Sequence, residues 1–292
     1  MLIVSESNAP AISSPVEYIQ HHLGNMTLDG ERPASLVDFS VFFIDTFLVS
    51  LILALLFGFA AWKVGKNLDA DKPTGLQNLL ETVVEFVNQQ VTDIFPTADK
   101  WVGPLAITIF VWVFLMNTMD LIPVDLLPSL VGGVASVFGY DPHHVYFKAV
   151  PTTNLDTTFA LALLVFGLII FYNIKHKGLV GYLKVFVTHP FSATNPVVKV
   201  LLAPFNILMT TIEEVAKPIS LGLRLFGNMF AGELLFLLIA LLAFSVWAMP
   251  AQIVLGTLWG IFHMLVVPLQ AFIFMLLTIV YLGLASQGVD EH

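Results

Sequence analysis

The chain has no cysteine among its 292 residues. A disulfide framework and a thiolate metal site are therefore excluded. Charge is also scarce. Only 11% of residues are charged, against roughly 25% in a soluble domain. Acidic residues outnumber basic ones, 21 to 12, for a formal net charge of −9, which argues against nucleic acid as a partner. The sequence has two arginines, Arg32 and Arg224. It shows no phosphate loop, no nucleophile–base pair and no cluster of metal ligands, so no ATP binding, hydrolysis, cofactor or metal is expected. His21 and His22 sit side by side in a polar arm and are not expected to ligate a metal. A basic n-region followed by an apolar core is missing at the start, so a cleavable signal peptide is not expected. There is no internal repeat.

What fills the chain is apolar: 57% hydrophobic residues and a mean hydropathy of +0.87. Residues 1–38 read as a polar arm and 39–292 as a membrane domain. Runs at 39–62, 101–122 and 155–174 are long enough to cross a bilayer. Two further spans are read at 197–249 and 253–285, with Pro204 and Pro218 breaking the first run, a long helix from Ile219 to Met249, and Pro268 kinking the last. At ~1.5 Å per residue, helices over Ile219–Met249 and Ile253–Leu284 are about 46–48 Å long. The hydrocarbon layer is only about 30 Å thick, so both are expected to tilt steeply. Over 75–95, Leu76, Leu79, Leu80, Val83, Val84, Val87, Val91 and Ile94 recur at helical spacing opposite Gln77, Asn78, Glu81, Glu85, Asn88 and Gln89. This predicts an amphipathic helix on the membrane surface, serving as a scaffold. The stretch Pro123–Pro151, with Gly132-Gly133 and Asp141-Pro142, reads as turns. The fold class is thus all-α and polytopic, with five crossings and one surface helix.

Orientation follows the basic residues. An outer N-terminus puts Lys63, Lys66, Lys72, Lys100, Lys175, Lys177, Lys184 and Lys199 inside, and leaves Arg32 and Lys148 outside with Asp125 and Asp141. Five crossings then place the C-terminus inside.

Arg224 stands in an apolar helix, PISLGLRLFGNMFAGELLF. A charge at mid-bilayer costs at least about 2.5–3.5 kcal/mol, so it must face protein or water. Arginine keeps its proton, so Arg224 is a fixed charge that biases a neighbouring carboxylate rather than carrying protons itself. Glu233 is nine residues on, half a turn round the helix, which leaves Arg224 without a counter-ion on its stripe. A titratable acid on another chain is expected. Ser220, Arg224 and Asn228 follow i, i+4, i+8 spacing and share a face. Gly222, Gly227, Ala231 and Gly232 are read as thinning the surface for a partner helix. His263 and Gln270 share a face of the last helix. An antiparallel hairpin with Gln270 level with Arg224 turns near Trp247 and brings His263 level with Ala231, so a Glu233–His263 polar pair is expected. Glu233 is the natural relay. Asn228 and Gln270 could equally be interhelical glue. Asp45, Asn117 and Asp120 lie near the ends of their spans; lining an entrance and simple structural pairing or solvation both stand.

The segment from Pro218 to Leu235, with His263 and PLQAFIFMLLTIVYL, resembles subunit a of the bacterial F-type ATP synthase, as do MNTMDLIPVDLLP upstream and Asp45. The likeness runs from about Phe39 to Ser286. It implies a proton-translocating stator subunit in the bacterial inner membrane. Two offset half-channels would meet a ring of c subunits, with Arg224 separating them. Glu233, His263, Asn228, Gln270 and Ser220 would line the proton path, and Glu213 and Glu214 a cytoplasmic exit. Expected partners are the c ring, the peripheral-stalk b subunits, the remaining synthase subunits indirectly, and the bilayer. The alternative is a secondary transporter holding an anion at Arg224, which the absent repeat disfavours.

Overall fold

A computed structural model of the chain describes residues 24–27, 41–69, 73, 75–123, 126–137, 139, 147–191, 195–244 and 246–287. Most of the N-terminal arm lies outside them, with His21, His22 and Arg32, as do Lys72, Asp125, Asp141-Pro142 and Ser245 of the expected turn. The described residues are helical throughout except for loops, short 3-10 turns and a lone antiparallel bridge between Thr27 and Phe43. The helices are α1 (Ile44–Lys66), α2 (Leu76–Ile94), α3 (Val102–Thr118), α4 (Leu126–Val137), α5 (Leu155–Thr188), α6 (Pro196–Ala240) and α7 (Met249–Ser286). Five of them are long and apolar enough to cross a membrane. Along α1, Leu51, Ile52, Leu55, Leu56, Phe59 and Trp62 are all exposed. An apolar patch of that extent is tolerated only against lipid or a partner.

Three elements differ from the sequence reading. The stretch expected to be all turns contains α4, because Pro128 falls in its first turn, where a missing N–H costs nothing. α5 runs on past residue 174 to Thr188. Lys175, His176 and Lys177 end the apolar run but not the helix, which is interrupted at Gly178 (φ 69°, ψ 163°), a conformation glycine adopts readily. α6 continues through both Pro204 and Pro218. Each proline removes one backbone bond, whereas breaking the helix in an apolar medium would strand several polar groups. α6 ends at Ala240, short of the expected Met249, and the 3-10 turns Leu241–Phe244 and Val246–Ala248 connect it to α7.

The chain divides into two compact units. One is built within Met1–Thr74, Val111–Thr157 and Phe226–Ala271, the other within Gly75–Phe110, Thr158–Leu225 and Phe272–His292. In the first, Val113, Met116, Met229, Leu237 and Val267 are buried. In the second, Val87 and Val91 of α2 are buried with Ala162, Val165 and Tyr172 of α5 and Phe274, Met275 and Ile279 of α7. Trp101 and Phe95 bring their rings to 5.3 and 6.3 Å from that of Tyr172. The Tyr172 hydroxyl donates to Asp99 at 2.8 Å, and Lys175 Nζ lies 2.5 Å from the same carboxylate oxygen. These two donors hold the Asp99 carboxyl below the usual carboxylate range.

Candidate functional site

The first unit buries an unusual number of polar groups. Asp45, Asn117, Asp120, Lys148, Glu233, His263 and Gln270 are all buried in it. Buried charges persist only when paired or hydrogen-bonded, and the pairings define the site.

His263 of α7 is 1% exposed. Its Nε2 lies 2.7 Å from Asp120 Oδ2, in the 3-10 turn that follows α3. The ring is confined by Phe236, edge-on at 5.4 Å, and by Trp259 at 6.2 Å between ring centres. Trp259 Nε1 donates to the Gly232 carbonyl at 3.4 Å. Gly232 is what admits the imidazole. A Cβ at this position would overlap His263 Cε1 and stand 3.0 Å from Nδ1 and 3.2 Å from Asp120 Oδ2.

Glu233, the next residue, is 5% exposed. Its Oε2 is 3.6 Å from Lys148 Nζ, within ion-pairing reach but too long for a hydrogen bond. Lys148 Nζ donates to the Thr153 carbonyl at 3.1 Å and lies 5.8 Å from the centre of the Phe230 ring. Lys148 and Glu233 border, with Asp120, a cavity of about 20 Å³, room for about one water molecule.

Asp45 supports this arrangement from behind. Its carboxylate accepts backbone N–H groups from Met26 at 2.9 Å, Thr46 at 2.8 Å and Lys148 at 3.0 Å. Through the Lys148 bond Asp45 fastens the first span to the segment that carries Lys148. Nearby in the same unit, Asn228 Nδ2 donates to Gln270 Oε1 at 2.7 Å. Asn117 is fully buried, and neither polar atom of its amide has a partner among the described residues.

Two expectations are corrected here. The Glu233–His263 pair is replaced by two separate ones, Glu233 with Lys148 and His263 with Asp120. Aligning straight helices from spacing alone could not foresee partners from outside the hairpin. The level assigned to Gln270 also moves one turn, to Asn228. The small residues divide between two roles. Gly227 and Ala231 are exposed, and a Cβ at 227 would touch nothing. Gly232 and Gly222 are instead buried, the latter 3.3 Å in Cβ terms from Phe159 and 3.4 Å from Ala162.

In the second unit Arg224 is partly exposed between buried Leu221 and Leu225, and Ser220 one turn earlier is exposed. Among the described residues no carboxylate lies within ion-pairing distance of Arg224. Glu213 and Glu214 are both reached by Lys217, at 3.7 and 2.6 Å. Glu213 is mostly exposed, while Glu214 Oε2 is buried without a hydrogen-bond partner among the described residues.

Sequence reasoning missed Lys148, Gly232 as the seat of His263, and Lys217. Lys148 did leave a signal. It was one of two basic residues on the expected outer side, and a lone cation against the charge bias invites a search for its acid. Among the described residues no group of three or more His, Asp or Glu could hold a metal ion.

Comparison with known proteins places the site in context. The ATP synthase A chain family matches residues 46–283. A protein of Psychrobacter arcticus named ATP synthase subunit a is 48% identical over 288 residues, 94% of this chain and 97% of its own length. Proteins of the same name from Acinetobacter baumannii and Acinetobacter baylyi are each 47% identical, covering 95% and 93% of this chain and 97% and 96% of their own lengths. The chain, a multi-span bacterial membrane protein, belongs to the ATP synthase A chain family.

Proposed function

We propose that the chain is the proton-conducting stator subunit of a rotary ATP synthase and passes protons to and from carboxylates on a ring of c subunits. As a family member it is a non-catalytic membrane subunit of the synthase complex. The observation that carries the finer reading is Arg224: a permanent cation on an apolar helix, partly exposed, with no counter-ion among the described residues. Such a charge is costly in a bilayer. It becomes favourable when an anion from another subunit stands before it.

Protons reach that anion through groups able to accept and release them. The N-terminus lies outside and the C-terminus inside. From the outer side, Asp120 and His263 take up a proton and Glu233 relays it. Asn228 and Gln270 then order the path toward the ring carboxylate. Buried polar atoms such as those of Asn117 favour water in this path. The protonated carboxylate is neutral and travels through lipid with the ring. On the cytoplasmic side Glu213 and Glu214 receive the released proton. Arg224 keeps the passing carboxylate ionised and prevents a direct leak between the two half-channels. Each proton crossing is worth about 2.3 kcal/mol per 100 mV. The b subunits of the peripheral stalk hold the chain against rotation, with α2 as their scaffold.

The test is Arg224→Ala in the assembled synthase. ATP-driven proton pumping is expected to vanish while the complex still assembles. Pumping at the wild-type rate would refute the proposal.

A further inference from the structure

We infer that Lys148 is a positioning residue for the Glu233 relay: an ammonium held in place that sets how tightly Glu233 keeps its proton, and so the range of outer pH over which the chain conducts. The inference rests on Glu233 being the relay.

The geometry is specific. Lys148 and Glu233 are both 5% exposed, and Nζ stands 3.6 Å from Oε2. The lysine is fixed at both ends. Its backbone N–H is bound by Asp45 at 3.0 Å, and Asp45 is itself tied to Met26 and Thr46. Its ammonium has two neutral acceptors besides Glu233, the Thr153 carbonyl at 3.1 Å and the face of Phe230 at 5.8 Å. When Glu233 takes a proton, the ammonium keeps these acceptors and has no reason to move. When Glu233 releases it, the opposite charge is already in place. A relay needs this property: its charge changes on every turnover, and a counter-charge that had to swing would slow each cycle.

The other charged groups around Glu233 bear on the sign. Asp120 borders the same cavity and disfavours a second negative charge there, moderated by its own pairing with His263. Asp45 lies behind the Lys148 backbone. Lys148 is thus the cation that favours ionised Glu233 and lets it hand the proton on. Without it, Glu233 holds its proton more tightly, and loss of conduction on the alkaline side moves to higher pH.

The experiment measures ATP synthesis by the complete synthase in proteoliposomes as outer pH is varied, alongside subunit abundance. Lys148→Gln is expected to move the alkaline limb upward by about 1–3 pH units, the effect of removing an opposite charge at this range. Lys148→Arg leaves the limb in place. Lys148→His follows the wild type below about pH 6.5, where histidine is charged, and departs from it above. A conducting Lys148→Gln variant with the wild-type profile overturns the inference. If that variant fails to accumulate, a wild-type profile for Lys148→His overturns it instead. Glu233→Gln separates the two levels: wild-type conduction in that variant removes the relay itself, whatever Lys148 does.

Discussion

Replacing Gly232 by alanine tests the buried half of the site directly. The added Cβ would overlap His263 Cε1. A side-chain tip can often swing aside, but this ring is 1% exposed and confined by Phe236, Trp259 and Asp120. Three effects compete. Overpacking costs about 1–3 kcal/mol. Displacing the imidazole from Asp120, 2.7 Å away, separates two buried ionisable groups at a cost of roughly 1.5–3 kcal/mol. Alanine returns about 0.8–1 kcal/mol of helix propensity. The first two win, for a net loss of roughly 2–5 kcal/mol. Once His263 is shortened, the overlap with the ring disappears, the 3.2 Å approach to Asp120 Oδ2 can relax into the vacated space, and the propensity gain remains. Gly232→Ala should therefore destabilise the wild-type chain yet stabilise a His263→Ala chain by about 1 kcal/mol. The cycle is measured as denaturation midpoints of the purified protein in mixed micelles, followed by tryptophan fluorescence. If Gly232→Ala costs the same on both backgrounds, the imidazole does not sit against residue 232 and the site as described is wrong.

Asp45→Ala should strip three backbone N–H groups of their acceptor at about 1–3 kcal/mol each, so the chain should be nearly lost from membranes on immunoblots, whereas an accumulating, active variant would contradict the tether. Asp99 is held below its ordinary range by Lys175 and Tyr172, so its contribution is complete above the unfolded value near ~3.9 and is lost as pH falls from there through the lower folded value. Melting temperatures of the purified protein across this acid range should therefore fall less steeply for Asp99→Asn than for the wild type; equal slopes would remove Asp99 from the account. Arg224→Ala and the Lys148 series complete the set.

The membrane helices were legible because bilayer thickness imposes a length that apolar runs must meet. The outward stripe of Ser220 and Asn228, and the inward placement of Glu233, were legible because they depend only on the helical repeat. What escaped the sequence were features decided by partners distant in the chain. His263 lies 143 positions from Asp120, and no periodicity links them. The same holds for Lys148 and Glu233, since a lysine in a loop reads as solvated until an acid is placed above it. α4 was hidden by its own composition, as Pro128 and Gly132-Gly133 signal turns by propensity alone. The C-terminal end of α5 was misjudged for the opposite reason: hydropathy reports the membrane's limit, not the helix's.

The three hydrogen bonds that the Asp45 carboxylate accepts also have a consequence for how the protein is made. The donors Met26 and Thr46 lie within 19 positions, but Lys148 lies 103 positions further along. During synthesis the first span enters the membrane long before that third donor exists. An acid at the end of an apolar segment must then wait, incompletely satisfied, until the chain has crossed back and presented residues 147–150. Correct threading of the intervening spans is what delivers Lys148 to the same side as Asp45. A chain inserted with the wrong topology would keep an incompletely satisfied carboxylate at its first span, so the fold rewards the correct threading with the third bond.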